Sequence, residues 1–316
     1  MTAVGIRHRL EYGLVLAVRS VSRVLPDAAS RAVGTTIGLL FYYLDGGHRR
    51  LATTQLHAAF PVRTEAECRE IARRTFVHFG RLVAAVLKYS ALDPAAMRAR
   101  IEFEGDDRIR AALAGGKGVI IFSGHFGYWE LQALGHALVL PPMSVMARPL
   151  DNPYLHRLLE DIRRRTGNGV IYRQGGLRRV LRALHANECV GMLIDQHVHG
   201  AAAVTVDFFG RPVATTSALA TLALRTGAPL VPVFALPLQR GRYRLIYEHP
   251  VEPPPAGCAD PVQVLTQRCT DVLEMYVRRH PHFWLWMHRR WRDHPATETG
   301  QTATLPGSLD ESESLE

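Results

Sequence analysis

Lysine is almost absent: it stands only at Lys88 and Lys117, so nearly all of the 38 basic side chains are arginine. Genome composition produces the same bias, and alone it carries no functional weight. Cysteine is sparse. Cys68, Cys189, Cys258 and Cys269 form no CxxC pair, and their spacing suits neither a zinc site nor a disulfide framework. They read as reduced thiols of a cytoplasmic protein. Long apolar runs are also missing. Val33 to Leu44 is apolar for only 12 residues, against the roughly 20 a spanning helix needs. Gly13 to Val18 is cut short by Arg19 and preceded by Glu11, which excludes an ordinary secretory signal. Both stretches fit helices lying in a membrane interface and, equally, buried helices of a helical layer.

What the chain has is a basic, globular body. Of 316 residues, 47% are hydrophobic and 21% charged, with a formal charge of +9. The last 24 residues, Asp293 to Glu316, hold six acidic residues and no Lys or Arg, which leaves +15 on the rest. Such a body calls for an anionic partner. The acidic, Ser/Thr-rich tail is expected to be disordered. The expected organisation is a helical, membrane-associated region over 1–95, an α/β domain over 96–292 and the tail over 293–316.

Helical spacing and a capping box at Thr64 and Glu67 predict a long helix over about 65–90, with Ile71, Phe76, Phe79, Leu82, Val83, Val86 and Leu87 on its apolar face. From about residue 100 apolar runs alternate with amphipathic stretches. Strands are expected at 118–122, 144–147, 169–172, 190–194 and 230–236, with a further one over 242–252 at a sheet edge. Helices are expected at 128–139, 153–165, 176–186, 215–226 and 260–280. The fold class this implies is α/β, a mainly parallel sheet flanked by helices.

The strand GVIIF ends at Ser123-Gly124, and His125 follows at once, with Glu130 five residues on. A histidine at the carboxyl end of a strand suits a general base. A carboxylate suits the holding of its tautomer. Five residues on one regular helix stand apart in angle, so the pair requires His125 on the preceding loop. Ser123 lacks the G-x-S-x-G elbow, and Gly115 to Gly118 lacks the residues of a phosphate loop. A competing site is the D-x-H-x-H run of Asp195, His197 and His199, which suits zinc or iron. The run FWLWMHRRWR mixes Trp284, Trp286 and Trp291 with Arg289, Arg290 and Arg292; it fits an interfacial anchor or a packed terminal segment. No nucleic-acid motif accompanies it, and no nucleic-acid partner is expected.

Eight segments, in order over residues 30–292, resemble the lipid A lauroyl/myristoyl acyltransferase family, a branch of the H-x4-D/E lysophospholipid acyltransferases. They are LATTQLHAAFP (51–61), GGKGVIIFSGHFGYWE (115–130), ARPLDNPYL (147–155), the Arg163–Gly167 spacing, MLIDQ (192–196), VDFFGRPVATT (206–216), LRTGAPLVPV (224–233) and FWLWMHRRW (283–291). Tyr128 and Gln55 depart from the pattern, which commonly has Asn at each position. The departure at Tyr128 bears on the acceptor.

The resemblance implies transfer of a fatty acyl chain from an acyl carrier protein or coenzyme A thioester to a hydroxyl of a lipid A precursor or related glycolipid. His125 is then the base and Glu130 its orienting partner. Arg148, Asn152, Arg163, Asp195, Gln196, Phe209, Gly210 and Thr216 are the expected substrate-binding residues, with Arg148 and Arg163 the arginines nearest the site. No cofactor or metal is expected beyond the thioester co-substrate. The expected partners are that thioester, the lipid acceptor and the cytoplasmic face of the inner membrane, bound peripherally or by a shallow anchor. Acylation of a lysophospholipid or phosphatidylinositol mannoside, and an inactive membrane-surface protein of the same fold, are the alternatives.

Overall fold

Thr64 opens the longest helix. Its hydroxyl accepts from Glu67 N, while the Glu67 carboxylate accepts from Thr64 N, so two orphan donors of the first turn are satisfied reciprocally. In the computed structural model, which describes residues 3–172, 175–200 and 202–292, this helix is α4 (Glu65–Tyr89), preceded by α1 (Ala3–Val24), α2 (Asp27–Leu44) and α3 (Gly46–Ala59). Most of the expected apolar face of α4 is buried, but Val83 is exposed. The backbones of α2 and α4 nearly touch. A Cβ on Gly38 would lie 2.4 Å from Phe76 O, and one on Gly80 would lie 2.2 Å from Gly34 O. The acidic tail expected over 293–316 lies outside the described residues.

The chain continues as α5 (Pro94–Arg98), β1 (Ile101–Glu104), α6 (Asp106–Ala114), β2 (Val119–Ser123), α7 (Trp129–His136), β3 (Met143–Ala147), α8 (Pro153–Arg164) and β4 (Gly169–Tyr172). Then come α9 (Gly176–His185), β5 (Cys189–Leu193), β6 (Ala203–Asp207), β7 (Pro212–Thr216), α10 (Ala218–Thr226), β8 (Leu230–Pro237), β9 (Tyr243–Tyr247) and α11 (Pro261–Arg279), with a 3-10 turn at Pro281–Phe283. The main sheet has strand order β1-β9-β8-β2-β5-β3-β4. Among the described residues its only antiparallel pair is β8 with β9. The mainly parallel α/β sheet is therefore as expected. β2 is buried along its whole length, which is why it reads as a continuous apolar run rather than an alternating one.

Three features differ from expectation. β1 and α6 appear where no element was foreseen. β9 is not an edge strand, because β1 pairs with it on its outer side. Residues 203–216 form an antiparallel hairpin, so the helix expected from 215 begins at Ala218. The helices of the N-terminal layer share the core of the sheet: Leu56, Ile71 and Phe76 pack in one cluster with Phe122, Phe126, Val190 and Leu273. Among the described residues no helix is long and apolar enough to cross a membrane.

Candidate active site

β2 and β5 are parallel neighbours, with Ser123 opposite Leu193. Their carboxyl ends therefore emerge side by side, and the loop residues His125 and Asp195 meet across them. His125 N donates to Asp195 Oδ2 at 2.7 Å, and His125 Nδ1 lies 2.8 Å from Asp195 Oδ1. Trp284 Nε1 donates to Asp195 Oδ2 at 2.8 Å. With Nδ1 donating to the carboxylate, Nε2 is left free to accept a proton. Gln196 Nε2 stands 3.5 Å from that nitrogen.

The loop carrying His125 is held on every side. Gly127 has φ of 59°, and a Cβ there would lie 2.2 Å from Ala235 O, so only glycine lets the loop lie against β8. Gly127 N donates to Phe283 O, and Leu285 N donates to His125 O. On the far side, His78 Nε2 donates to Gly127 O at 3.0 Å.

Electrostatics follow from this enclosure. Burial pulls the His125 pKa down, but the charge and hydrogen bond of Asp195 outweigh it, and Glu130 adds a smaller push; the net shift is upward. For Asp195 burial opposes the charged form. The His125 contacts and the Trp284 donor override it and hold the carboxyl at about 2.

The expectation that Glu130 holds the His125 ring is corrected by this geometry. Glu130 receives both arms of the Arg163 guanidinium, Nε at 3.1 Å and Nη2 at 2.7 Å, and acts on His125 only through its charge. A bidentate pair of this kind fixes both side chains. Both line an apolar cavity beside His125, enclosing about 550 Å³ including its mouth, walled by Trp129, Met143, Val145, Gly191 and Met192. The Trp129 ring centroid lies 5.5 Å from that of His125.

The other expected substrate residues are spread more widely. Arg148, past the end of β3, is exposed and pairs with Asp151 at 3.4 Å. Asn152 is fully occupied elsewhere: its Oδ1 caps α8 through Tyr154 N and Leu155 N, and its Nδ2 bonds His8 O and Glu11. Phe209 is a core residue packed on Phe60 and Trp286, with its N–H on Glu274. Gly210 turns the β6–β7 hairpin with its N–H on Asp207, and the Thr216 hydroxyl accepts from Ala218 N. Among the described residues none of these hydrogen-bonds or ion-pairs with His125 or Asp195.

Tyr128 stacks on His78, centroids 5.7 Å apart, while Trp129 packs on Phe79, centroids 5.3 Å apart. Gln55, the other departure, bonds Trp286 O, His288 O and Arg290 N, tying α3 to the C-terminal segment. Asp195 is spent on His125, and His197 Nε2 meets His199 Nδ1 at 3.3 Å. Among the described residues no group of three His, Cys, Asp or Glu side chains has metal-holding geometry.

Trp284 escaped the sequence reading as a site residue. Trp284, Trp286 and Arg290 are 1%, 0% and 1% exposed, so these three side chains do not enter a membrane interface. His288 was missed too: its Nε2 is buried without a hydrogen-bond partner, and it senses the charges of Asp195 and His125.

The chain that builds this site is similar in sequence to known proteins. The chain is 26% identical over 242 residues to the lipid A biosynthesis acyltransferase of Haemophilus influenzae, covering 76% of this chain and 74% of that one. It is 27% identical over 274 residues to the lipid A biosynthesis lauroyltransferase of Escherichia coli, covering 86% and 88%. It is 26% identical over 275 residues to the phosphatidylinositol mannoside acyltransferase of Mycobacterium tuberculosis, covering 85% and 84%. The family model described as bacterial lipid A biosynthesis acyltransferase matches residues 6–293, nearly the whole chain, and the protein accordingly belongs to that family and is an acyltransferase.

Proposed function

We propose that the protein transfers a fatty acyl group from an acyl carrier protein or coenzyme A thioester to a hydroxyl of a lipid A precursor or related glycolipid. The observation that carries the mechanism is the His125 Nδ1 to Asp195 bond, which leaves Nε2 as a base; an apolar cavity lies past Trp129, whose ring stands 5.5 Å from that of His125. Nε2 removes the proton of the acceptor hydroxyl as its oxygen attacks the thioester carbonyl. The imidazolium so formed is stabilised by Asp195. Collapse of the tetrahedral intermediate breaks the C–S bond, and the leaving thiolate takes the proton from His125. The acyl chain lies in the cavity between Trp129, Met143 and Gly191. Glu130 and Arg163, locked together in its wall, orient the polar end of the donor or acceptor.

A phosphatidylinositol mannoside type acceptor is the second reading, favoured by the mycobacterial relative at nearly the same identity. Membrane association fits the exposed Leu10, Leu14 and Val24 of α1 and the exposed Leu40, Phe41 and Leu44 of α2. Transfer is tested by incubating the protein with acyl carrier and coenzyme A thioesters and a panel of lipid acceptors, read by mass spectrometry. Acylation of a glycolipid hydroxyl, lost in His125→Ala with folding intact, is expected. Absence of transfer to every acceptor, or wild-type rates in His125→Ala, refutes the proposal.

A further inference from the structure

Beyond Tyr128, a second cleft opens between α2, α4 and the β8–β9 connection. It encloses about 1440 Å³ including its mouth, and no residue lining it lines the cavity beside His125. Arginine dominates its walls. Arg74 and Arg81 stand two turns apart on one face of α4, and Arg31 faces them from α2. The close approach of α2 and α4 at Gly34, Gly38 and Gly80 brings these guanidinium groups together.

The acidic groups nearby are already engaged. Glu70 receives Arg73 through two bonds of 2.8 and 2.7 Å, and Asp27 receives Arg100 at 2.8 Å and Lys88 at 2.7 Å. Among the described residues Arg81 donates only to the Thr35 hydroxyl, at 2.9 Å, and Arg74 meets His282 Nε2 at 3.2 Å. Neither Arg31 nor Arg81 has an ion-pair partner among the described residues. Burial, and next the charge of Arg31, lower the Arg81 pKa. Glu70 lines the cleft too and feels both Arg73 and Arg74, so one carboxylate faces the four guanidinium groups of Arg31, Arg73, Arg74 and Arg81; the excess of like charge repels, and a multivalent anion among them relieves that cost. Guanidinium forks match the oxygens of a tetrahedral phosphate. Tyr128 and Gln239 line the same cleft and add neutral polar groups.

We infer that the cleft of Arg31, Arg74 and Arg81 is a binding site for a phosphomonoester or diphosphate group, separate from the acyl-transfer site. The group comes either from an anionic lipid headgroup or from a soluble phosphate compound. The inference does not depend on the identity of the acyl donor or acceptor.

Calorimetric titration of the full chain decides it, with inorganic pyrophosphate in one arm and dihexanoyl phosphatidic acid, below its micelle concentration, in the other. At least one probe binds wild-type protein, with affinity falling as salt rises. Arg31→Ala and Arg74→Gln, each checked for an unchanged melting transition, weaken binding about tenfold or more, as loss of a charge-assisted hydrogen bond entails. Arg289→Gln, an exposed arginine elsewhere, leaves it unchanged. Binding of the lipid alone assigns the site to a headgroup, and binding of pyrophosphate alone assigns it to a soluble phosphate. Failure of both probes to bind, or binding that Arg31→Ala and Arg74→Gln leave intact, overturns the inference.

Discussion

Asp195→Asn removes one charge and keeps the shape of the side chain. Oδ2 accepts from two N–H groups, His125 N at 2.7 Å and Trp284 Nε1 at 2.8 Å, so the amide NH2 cannot sit there. It must take the place of Oδ1, facing His125 Nδ1 across 2.8 Å. An amide NH2 donates, so Nδ1 must accept, and the ring proton moves to Nε2. The nitrogen meant to act as base is then blocked. Loss of a charge-assisted hydrogen bond costs about 1.5–3 kcal/mol, or about 10- to 150-fold in rate. The wrong tautomer adds to this, and carboxylate-to-amide swaps in hydrolase triads set the scale at about 10⁴-fold in kcat.

The pH dependence carries a sign as well. In the wild type Asp195 outweighs burial and raises the His125 pKa; without that charge burial prevails, aside from the smaller push of Glu130. The base must be neutral to act, so the rising limb of the residual rate moves to lower pH in the variant. Single-turnover measurement with a labelled thioester across a pH series reads both effects. If Asp195→Asn keeps most of the rate while Glu130→Gln loses about 10³-fold or more, Glu130 governs the histidine and the reasoning fails.

Two further outcomes follow from the geometry. Burial holds His78 at about 3 and His136 at about 4, despite the Gly127 and Pro141 carbonyls they meet. In the unfolded chain both take protons near pH 6.5, so the unfolded state binds more protons below that value. Stability is therefore full above about 6.5 and falls as pH drops towards 4. Thermal melts across this window test it, with His78→Gln flattening the slope and a constant Tm refuting it. Gly191→Val narrows the cavity: the new Cβ stands 3.0 Å from the flexible Met143 Sδ, and its methyl groups project among the lining side chains. Competition among thioesters of graded chain length should shift towards shorter acyl groups, by about fourfold for each methylene displaced; an unchanged profile separates the cavity from the acyl chain.

The core strands were legible because β2, β5 and β8 are buried on both faces and read as unbroken apolar runs. β1 was not, because two of its four residues are glutamates, paired with arginines of the neighbouring strand and its approach. The β6–β7 hairpin was hidden because VATT runs directly into the apolar face of α10. At the site, His125 was legible from its place after β2, but its partner was not. Glu130 is close in sequence, whereas Asp195 arrives only because the sheet sets β5 beside β2. Tryptophans and arginines mixed around Trp284 fit an interfacial anchor and a packed segment equally, and only burial separates the two.

The α2–α4 contact has a mechanical consequence. Where Gly34, Gly38 and Gly80 bring two backbones together, there are no rotamers to yield. The spacing of α2 and α4 is therefore set by backbone against backbone. α4 carries His78, which donates to the carbonyl of Gly127, two residues from His125. Packing in the N-terminal layer therefore bears directly, through one helix and one hydrogen bond, on the loop that carries His125.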